Sequence, residues 1–301
     1  MAIGIRRSAF QPSSTYTITS DMNAQAWDCT NAEYHADHSK IGASMLKVAL
    51  RSPSEYKRRF LDDPPLSNPE SPSLIVGDAE HVLLLQPDLF DQRYYVRPEG
   101  IDSRTTEGKK KLAELRLSSV GKRELTIEQH ENIKAMANAV LYEPFLDQII
   151  HDPSTKIEQA VVWEDSGVTC KCRPDLWVPR PDQETDLILD LKTADDPSPE
   201  MFGGTSSFSP IRKYRYDMQL AHYVRGISEF TGRHCAAGLI VVGKSDPYDV
   251  FIYDITAWLP VGNDFRHKAL SVVANGNDTG WRRPEQGVVV ALAPSHWDYG
   301  E

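Results

Sequence analysis

The sequence contains no long run of apolar residues. Nothing in it approaches the roughly 18 consecutive apolar residues that a membrane-spanning helix needs. Residues 1–20 include two arginines but no apolar core after them, so they lack the pattern of a secretory signal. We therefore expect a cytoplasmic protein with no membrane contact.

Cysteine is also scarce. The four cysteines form no CxxC pair and no spacing typical of zinc or iron–sulfur sites. Cys170 and Cys172 are two residues apart on a predicted strand, so both side chains lie on one face. We interpret them as small structural side chains, and a metal or redox role is the alternative. The other two cysteines are Cys29 and Cys235.

Basic residues are in the minority. The chain has 33 lysines and arginines against 43 aspartates and glutamates, which gives a formal net charge of −10. This argues against broad nonspecific attraction to nucleic acid, although a local basic groove could still bind it. The basic clusters are residues 57–59, residues 109–111 and the group Arg212, Lys213 and Arg215, each either a solvated surface or a set of phosphate contacts.

Periodicity divides the 301 residues into parts. Residues 1–33 have none and are expected to be flexible, with ordered structure beginning near Tyr34. Helical patterns occupy residues 34–150, and period-two alternation is typical of residues 151–260. Residues 261–301 are a predicted tail, irregular after about residue 275. The sequence thus predicts a single α/β or α+β domain over residues 34–301, with a central mixed sheet flanked by helices and an N-terminal helical region.

Individual elements follow from the same patterns. Ser52 as N-cap and Pro53 at the first helical position predict one helix start, and Thr126 with Gln129 predicts another. Helices are predicted at residues 39–51, 52–61, 73–86, 127–143 and 211–230, and strands at 156–165, 168–178, 186–193, 236–243 and 248–255.

The most informative segment is a predicted hairpin whose turn spans residues 179–186. In a symmetric hairpin around this turn, Asp175 and Asp190 lie directly opposite each other, with Cα atoms about 5 Å apart. Arg173 and Lys192 form the next pair on the same face. The hairpin therefore predicts two facing carboxylates with two cations beside them.

This arrangement is typical of a metal site. Lys192 lies two residues after Asp190 and projects from the same face of the strand. Facing like charges destabilise a sheet, so the two carboxylates need a cation to offset their repulsion. Hard oxygen ligands favour Mg²⁺, with Mn²⁺ as a substitute. The ligands would be Asp175, Asp190 and the main-chain carbonyl of Leu191.

Such a site suits phosphodiester hydrolysis. A bound metal polarises the scissile phosphate, and a nearby cation stabilises the charge that develops in the transition state. Lys192 would orient or activate the attacking water and stabilise the pentacovalent phosphate. The alternative is a solvated surface hairpin in which Lys192 only pairs with the aspartates.

Residues 173–178 (RPDLWV) and 187–199 (LILDLKTADDPSP) resemble the PD-(D/E)XK nuclease superfamily, and more closely its exodeoxyribonuclease VIII branch, the RecE-like and RecB-like nuclease domains. Four further segments carry the same resemblance in order. They are similar to that branch's opening helix region, its G-x-x-x-H helix, its Q-x-x-x-Y helix and its two closing strands, and they span residues 34–57, 77–90, 214–223 and 238–255. The match covers residues 34–260, and the ordered set is more specific than the D…DxK core alone.

The resemblance implies a restriction-endonuclease-like core and site residues beyond the hairpin. It implies that His81 is a metal ligand or a neighbour of the metal, and that Gln219 and Tyr223 wall the active site and position DNA. It also implies Mg²⁺-dependent, 5′-to-3′ digestion of linear duplex DNA by a ring-like homo-oligomer beside a RecT-like single-strand annealing recombinase. Where the family commonly has Thr-Ala before the helix histidine, this chain has Asp78, Ala79 and Glu80, whose roles the pattern does not give.

From the residues alone, each of these side chains has a simpler interpretation. His81 shares an inward helix face with Leu84 and could be a core histidine. Gln219 and Tyr223 are four apart and share a helix face, with Tyr216 one turn earlier, which is also what an ordinary helix flank looks like. Tyr216, Arg173 and the group Arg212, Lys213 and Arg215 are the candidate contacts to nucleic acid. Glu158 either supports the site or is a surface carboxylate.

The leading hypothesis is thus a metal-dependent exonuclease that acts on double-strand ends in recombination or repair. The alternatives are a restriction-type or structure-specific endonuclease with the same core and a non-catalytic protein that binds DNA ends. A paired-carboxylate glycosidase ranks lowest, because that chemistry does not need a lysine two residues from a carboxylate.

Overall fold

The computed structural model describes residues 24–66, 71–101, 104–203 and 209–289. The strands of these ranges are β1 (Ala24–Trp27), β2 (Tyr94–Val96), β3 (Arg123–Leu125), β4 (Lys156–Ile157), β5 (Ala160–Asp165), β6 (Val168–Cys172), β7 (Leu176–Val178), β8 (Thr185–Ala194), β9 (His234–Gly243) and β10 (Val250–Asp254). The helices are α1 (Asn31–Ala36), α2 (Ala43–Arg51), α3 (Pro53–Phe60), α4 (Pro72–Leu85), α5 (Pro87–Arg93), α6 (Thr106–Ser118), α7 (Ile127–Tyr142), α8 (Pro144–His151), α9 (Pro199–Phe202), α10 (Pro210–Lys213), α11 (Tyr216–Thr231) and α12 (Leu259–Ala274).

A five-stranded mixed sheet lies at the centre, with strand order β10-β9-β8-β7-β4. Only β8 and β9 run parallel, and the other neighbours are antiparallel. Two smaller sheets flank it, β1-β5-β6 and the parallel pair β2-β3. This confirms the predicted α/β class, with a central mixed sheet between helices.

Alternation along β8 assigns its two faces to two cores. Ile188 packs into a cluster with α2, α11 and α12, whereas Leu189 and Leu191 pack into a second cluster with α4, α7 and α8. Both faces of the sheet are therefore covered, which is why β8 and β9 read as nearly continuous apolar runs. Asp190 is a buried exception within the apolar run of β8.

The predicted start of ordered structure near Tyr34 is wrong. β1 pairs antiparallel with β5, Ala24 opposite Trp163, and α1 begins at a capping box formed by Thr30 and Glu33. β1 has no clear apolar alternation, because it is a short strand stabilised by edge pairing and by contacts of Trp27 with the Tyr34 ring. Residues 1–23 of the segment predicted as flexible lie outside the described residues.

Two predicted strands are each divided between sheets. Residues 156–165 form β4 and β5, separated at Glu158, whose φ is 48°. Residues 168–178 form β6 and β7, separated at Arg173 and Pro174. Proline cannot donate to a ladder hydrogen bond, so the chain leaves one sheet there and enters the other.

The segment predicted as a C-terminal tail begins inside a helix. α12 packs against α11 and α2, and its first turn contains Pro260, a favourable position for proline. Residues 275–289 contain turns but neither helix nor strand, as predicted. Across the ranges that the structure describes, no helix is long and apolar enough to span a bilayer.

The cysteines behave as structural side chains. All four are unpaired, and three are buried. Burial raises the pKa of Cys170 to about 12 and that of Cys235 to about 12, so both thiols stay protonated and unreactive at neutral pH.

Candidate active site

The hairpin of β7 and β8 has the predicted register. Leu176 lies opposite Leu189, and Val178 lies opposite Leu187. Asp175 immediately precedes β7, and its carboxylate oxygen Oδ2 accepts a hydrogen bond of 2.6 Å from the main-chain nitrogen of Leu191. The Asp175 carboxylate is therefore fixed against the middle of β8.

Asp190 and Lys192 share one face of β8, as the alternation predicted. The Lys192 ammonium contacts Oδ2 of Asp190 and donates to the main-chain oxygen of Leu191 at 3.1 Å. Asp190 is only 1% exposed. A buried, ion-paired arrangement of this kind excludes the simple alternative of a solvated surface hairpin.

Helix α4 brings His81 to the same place. Its Nδ1 lies 3.4 Å from Oδ2 of Asp175. Burial alone would lower the pKa of His81, but the Asp175 carboxylate raises it to about 9. The histidine is therefore a neighbour of the paired carboxylates and not a satisfied core residue.

Helix α11 supplies two more of the predicted residues. Gln219 Nε2 donates to Asp190 Oδ1 at 3.0 Å and to the Tyr223 hydroxyl at 3.1 Å. The close passage of α11 over β8 follows from its apolar stripe, in which Leu220, Val224 and Ile227 are buried. The shared helix face predicted from the spacing is thus directed at Asp190.

Lys47 is a site residue that the sequence reading missed. Its Nζ, on α2, donates to Gln219 Oε1 at 2.8 Å. Because the Asp190 carboxylate only accepts, Gln219 directs its Nε2 to Asp190, which leaves its Oε1 for Lys47. Burial and the neighbouring Lys192 lower the pKa of Lys47 to about 7. Nothing in the spacing of α2 distinguishes Lys47 from a solvated lysine.

The structure gives the surroundings of the three acidic residues whose roles the sequence left open. Asp78 accepts from the Tyr94 hydroxyl and from Arg123, so it belongs to a structural ion pair. Glu158 pairs with Arg173 at 3.4 Å. Glu80 is fully buried and neither of its oxygens has a hydrogen-bond partner, and burial raises its pKa to about 7.

The predicted pair of Arg173 with Lys192 is not formed. β7 begins only at Leu176, and the Arg173 guanidinium contacts Glu158 and lies 5.0 Å from the centre of the Tyr34 ring. A role of Arg173 in DNA binding stays a prediction.

The other residues predicted to contact nucleic acid lie in different surroundings. Arg212 lies over the Trp258 ring at 4.7 Å, and Arg215 lies over the Phe265 ring at 3.2 Å, so both cations pack on aromatic side chains. Lys213 is exposed and lies beside Tyr214. The Tyr216 ring contacts the active site itself, since the Lys192 Nζ lies 5.1 Å from its centre.

The donor set suits a hard divalent cation. Asp175, Asp190 and the Leu191 carbonyl supply oxygens, and His81 supplies a ring nitrogen beside them. Both oxygens of Glu80 are buried and accept no hydrogen bond, and Oδ2 of Asp190 has the Lys192 ammonium as its partner. Buried acceptors without donors are costly unless a cation satisfies them. Among the described residues, no three histidine, cysteine, aspartate or glutamate side chains lie close enough together to hold a metal ion by themselves. The residues fit a divalent metal with open coordination positions.

The site opens to solvent through a cavity of about 450 Å³. His81, Leu191, Lys192 and Tyr216 line it. A phosphate in this cavity would therefore have access to Lys192 and to the Leu191 carbonyl.

Comparisons with known proteins give a matching family model and a solved structure of similar fold. A family model described as "PDDEXK-like domain of unknown function (DUF3799)" matches residues 42–275. A solved structure from Eubacterium rectale, named as a candidate exonuclease, is similar to the chain with a TM-score of 0.61 and 16% identity, over 91% of this chain and 98% of that one. Protein VC1899 from Vibrio cholerae aligns with a TM-score of 0.25 and 11% identity, over 87% and 59%. No curated protein matches the chain.

Proposed function

Because the chain belongs to the family of PDDEXK-like domains, we propose that it is a metal-dependent exodeoxyribonuclease that degrades linear double-stranded DNA. The observation that carries this proposal is the buried group of Asp175, Asp190 and Lys192 at the middle of β8, open to solvent through one cavity. Two carboxylates and an ammonium at one point are what metal-assisted phosphodiester hydrolysis requires.

Asp175, Asp190 and the Leu191 carbonyl would hold Mg²⁺, with Mn²⁺ as a substitute. His81 would join them as a ligand only when its ring loses the proton that it otherwise shares with Asp175. The bound ion would polarise the scissile phosphate and lower the pKa of a coordinated water. The fixed position of Asp175 supports this assignment, because the main-chain N–H of Leu191 holds one carboxylate oxygen and leaves the other available.

Lys192 acts as a cation in this mechanism and not as a base. Burial alone would lower the pKa of Lys192, but the Asp190 and Asp175 carboxylates raise it above its usual value. The ammonium therefore stays charged at neutral pH, donates to a non-bridging phosphate oxygen and stabilises the charge of the pentacovalent transition state.

Gln219 holds the second carboxylate in place. Its amide Nε2 donates to Asp190 Oδ1, which leaves its Oε1 for Lys47. Tyr216 lines the cavity, and the Tyr223 hydroxyl accepts a second hydrogen bond from the Gln219 amide. These contacts hold the catalytic carboxylate close to the geometry that the reaction needs.

The exonuclease class is preferred to an endonuclease on two grounds. The similar structure from Eubacterium rectale is named as a candidate exonuclease. In the described ranges all ten strands belong to the central sheet or to the two smaller sheets, so none of them builds a separate target-recognition module there. Digestion from 5′ to 3′, a ring-like homo-oligomer and action beside a RecT-like annealing recombinase in recombination or repair are part of the same proposal and rest on the resemblance.

The test compares two forms of one plasmid in the presence of Mg²⁺. The linear form is expected to be digested to mononucleotides or short products, and the covalently closed circle is expected to stay intact. EDTA is expected to stop digestion of the linear form. Cutting of the closed circle would show an endonuclease instead, and intact linear DNA after long incubation would favour a protein that only binds DNA ends.

A further inference from the structure

A second groove lies beside the active site. It has a volume of about 470 Å³ and is lined by residues of α2 and of the segment before α11. Its polar lining consists of Lys47, Arg51, Lys213 and Arg215, with no acidic residue among the described ones. Arg51 pairs with Glu55 and Arg215 lies 3.7 Å from Asp217, so the exposed Lys213 is the cation most available to a phosphate. We call it the basic groove. Its charge is complementary to a phosphate backbone.

Two tyrosines connect the basic groove to the catalytic cavity. Tyr214 and Tyr216 line both. The Tyr216 ring has the Lys192 Nζ 5.1 Å and the Lys47 Nζ 5.4 Å from its centre. A chain of phosphates that passes Lys192 can therefore continue into the basic groove past Lys47 without leaving the surface of the protein.

Tyr214 faces this path. It is 47% exposed, and the Lys213 Nζ lies 5.0 Å from its ring centre. An exposed aromatic ring next to cations in a groove is the combination that binds single strands, since bases stack on the ring while the cations contact the backbone. Bases inside a duplex are already stacked on each other and cannot use such a ring.

On the basis of the proposed function, we propose that the basic groove binds an unpaired strand of DNA next to the scissile phosphate, with a base on Tyr214 and phosphates at Lys213 and Lys47. The groove volume is within the range of about 300–1,000 Å³ typical of small-ligand sites, which suits one or two nucleotides of an unpaired strand. The terminal base pairs of the substrate must then separate before the strand is cut.

The first experiment measures binding without cleavage. A fluorescent oligothymidylate of about 12 nucleotides is titrated with the protein in EDTA, and the anisotropy gives Kd. Tyr214→Ala is expected to raise Kd at least about fivefold, because one stacked base is lost. Lys213→Ser is expected to raise Kd and to flatten its dependence on salt concentration. Tyr142→Ala is the matched control, because Tyr142 is 86% exposed on α7 and lines neither cavity. The Kd of this variant for the oligothymidylate is expected to equal that of the wild type.

The second experiment uses Mg²⁺ and two linear duplexes that differ only in two mismatched base pairs at each end. The wild type is expected to have a lower KM for the frayed duplex than for the fully paired one, and Tyr214→Ala is expected to lose this preference. Equal Kd values for Tyr214→Ala and the wild type, or no measurable oligothymidylate binding by the wild type, would overturn the groove assignment even if DNA is digested. Intact DNA with normal, Tyr214-dependent oligothymidylate binding would instead overturn the nuclease proposal and keep the groove as a site for single strands.

Discussion

Replacement of Lys192 by Met is expected to lower kcat for hydrolysis of linear DNA by at least about 100-fold. The substitution keeps most of the side-chain volume and removes the one ammonium that contacts Asp190 inside the catalytic cavity. Loss of a single preorganised group that stabilises transition-state charge costs about 10²–10³ in rate. The variant is expected to fold, because burial already raises the pKa of Asp190, and this carboxyl can take up a proton when its partner is absent.

Lys244→Met is the matched control for this experiment. Lys244 lines the same cavity, but its ammonium pairs with the exposed Asp195 at 3.0 Å and not with Asp175 or Asp190. The kcat of Lys244→Met is expected to stay within about threefold of the wild-type value, because an exposed ion pair contributes little to the stability of the fold. Single-turnover rates and thermal unfolding of both variants check the two expectations. Equal rates for Lys192→Met and the wild type would remove Lys192 from the mechanism.

Gly262→Ala is expected to destabilise the protein by about 3 kcal/mol, at the upper end of what overpacking costs. A Cβ atom at this position of α12 would lie 2.1 Å from the main-chain oxygen of Asp217 and 2.9 Å from the nitrogen of Met218. Both belong to the first turn of α11, so the helices would have to move apart. Because α11 also positions Gln219 against Asp190, activity is expected to fall as well.

Replacement of Gly77 by alanine is expected to have the opposite effect on the stability of the fold. Gly77 lies inside α4, and a Cβ there would meet nothing within 4 Å. Alanine is favoured over glycine in a helix by about 1 kcal/mol, so Gly77→Ala is expected to stabilise the fold. Urea unfolding of the two variants gives both free energies. Similar stabilities of Gly262→Ala and the wild type would show that α11 and α12 do not approach each other as closely as described.

The catalytic core could be predicted because its signals are local. Period-two alternation fixes the faces of β8, and the length of the turn fixes the register that places Asp175 against β8. The positions of Gln219 and Tyr223 on one helix face also follow from spacing alone. What that face would contact followed only from the resemblance to a family.

Residues contributed by distant elements could not be predicted in the same way. Lys47 reaches Gln219 across 172 positions of sequence, and its role depends on the approach of α2 to α11. Glu80 is similar, since burial without a partner is a property of the packed structure. Neither Lys47 nor Glu80 belongs to a sequence motif that would indicate its role.

The break between β6 and β7 and the helix α12 both have a signal in the sequence, although neither was predicted. Pro174 lies in the middle of the predicted strand 168–178 and marks the break between β6 and β7. α12 lies mostly in the segment predicted as a tail, and its apolar residues have helical spacing, although Gly262 and Asn263 near its start are weak helix formers. Here tertiary contact with α11 outweighs weak local propensity.

The central claim is that the two carboxylates share a divalent ion next to an ammonium group. Anomalous diffraction from a crystal soaked in Mn²⁺ tests it most directly. The expected result is a strong peak within about 2.5 Å of oxygens of Asp175, Asp190 and the Leu191 carbonyl, with the Lys192 Nζ beside it. Asp175 and Asp190 side chains that point apart with no peak between them, in a crystal that binds Mn²⁺ elsewhere, would contradict the claim.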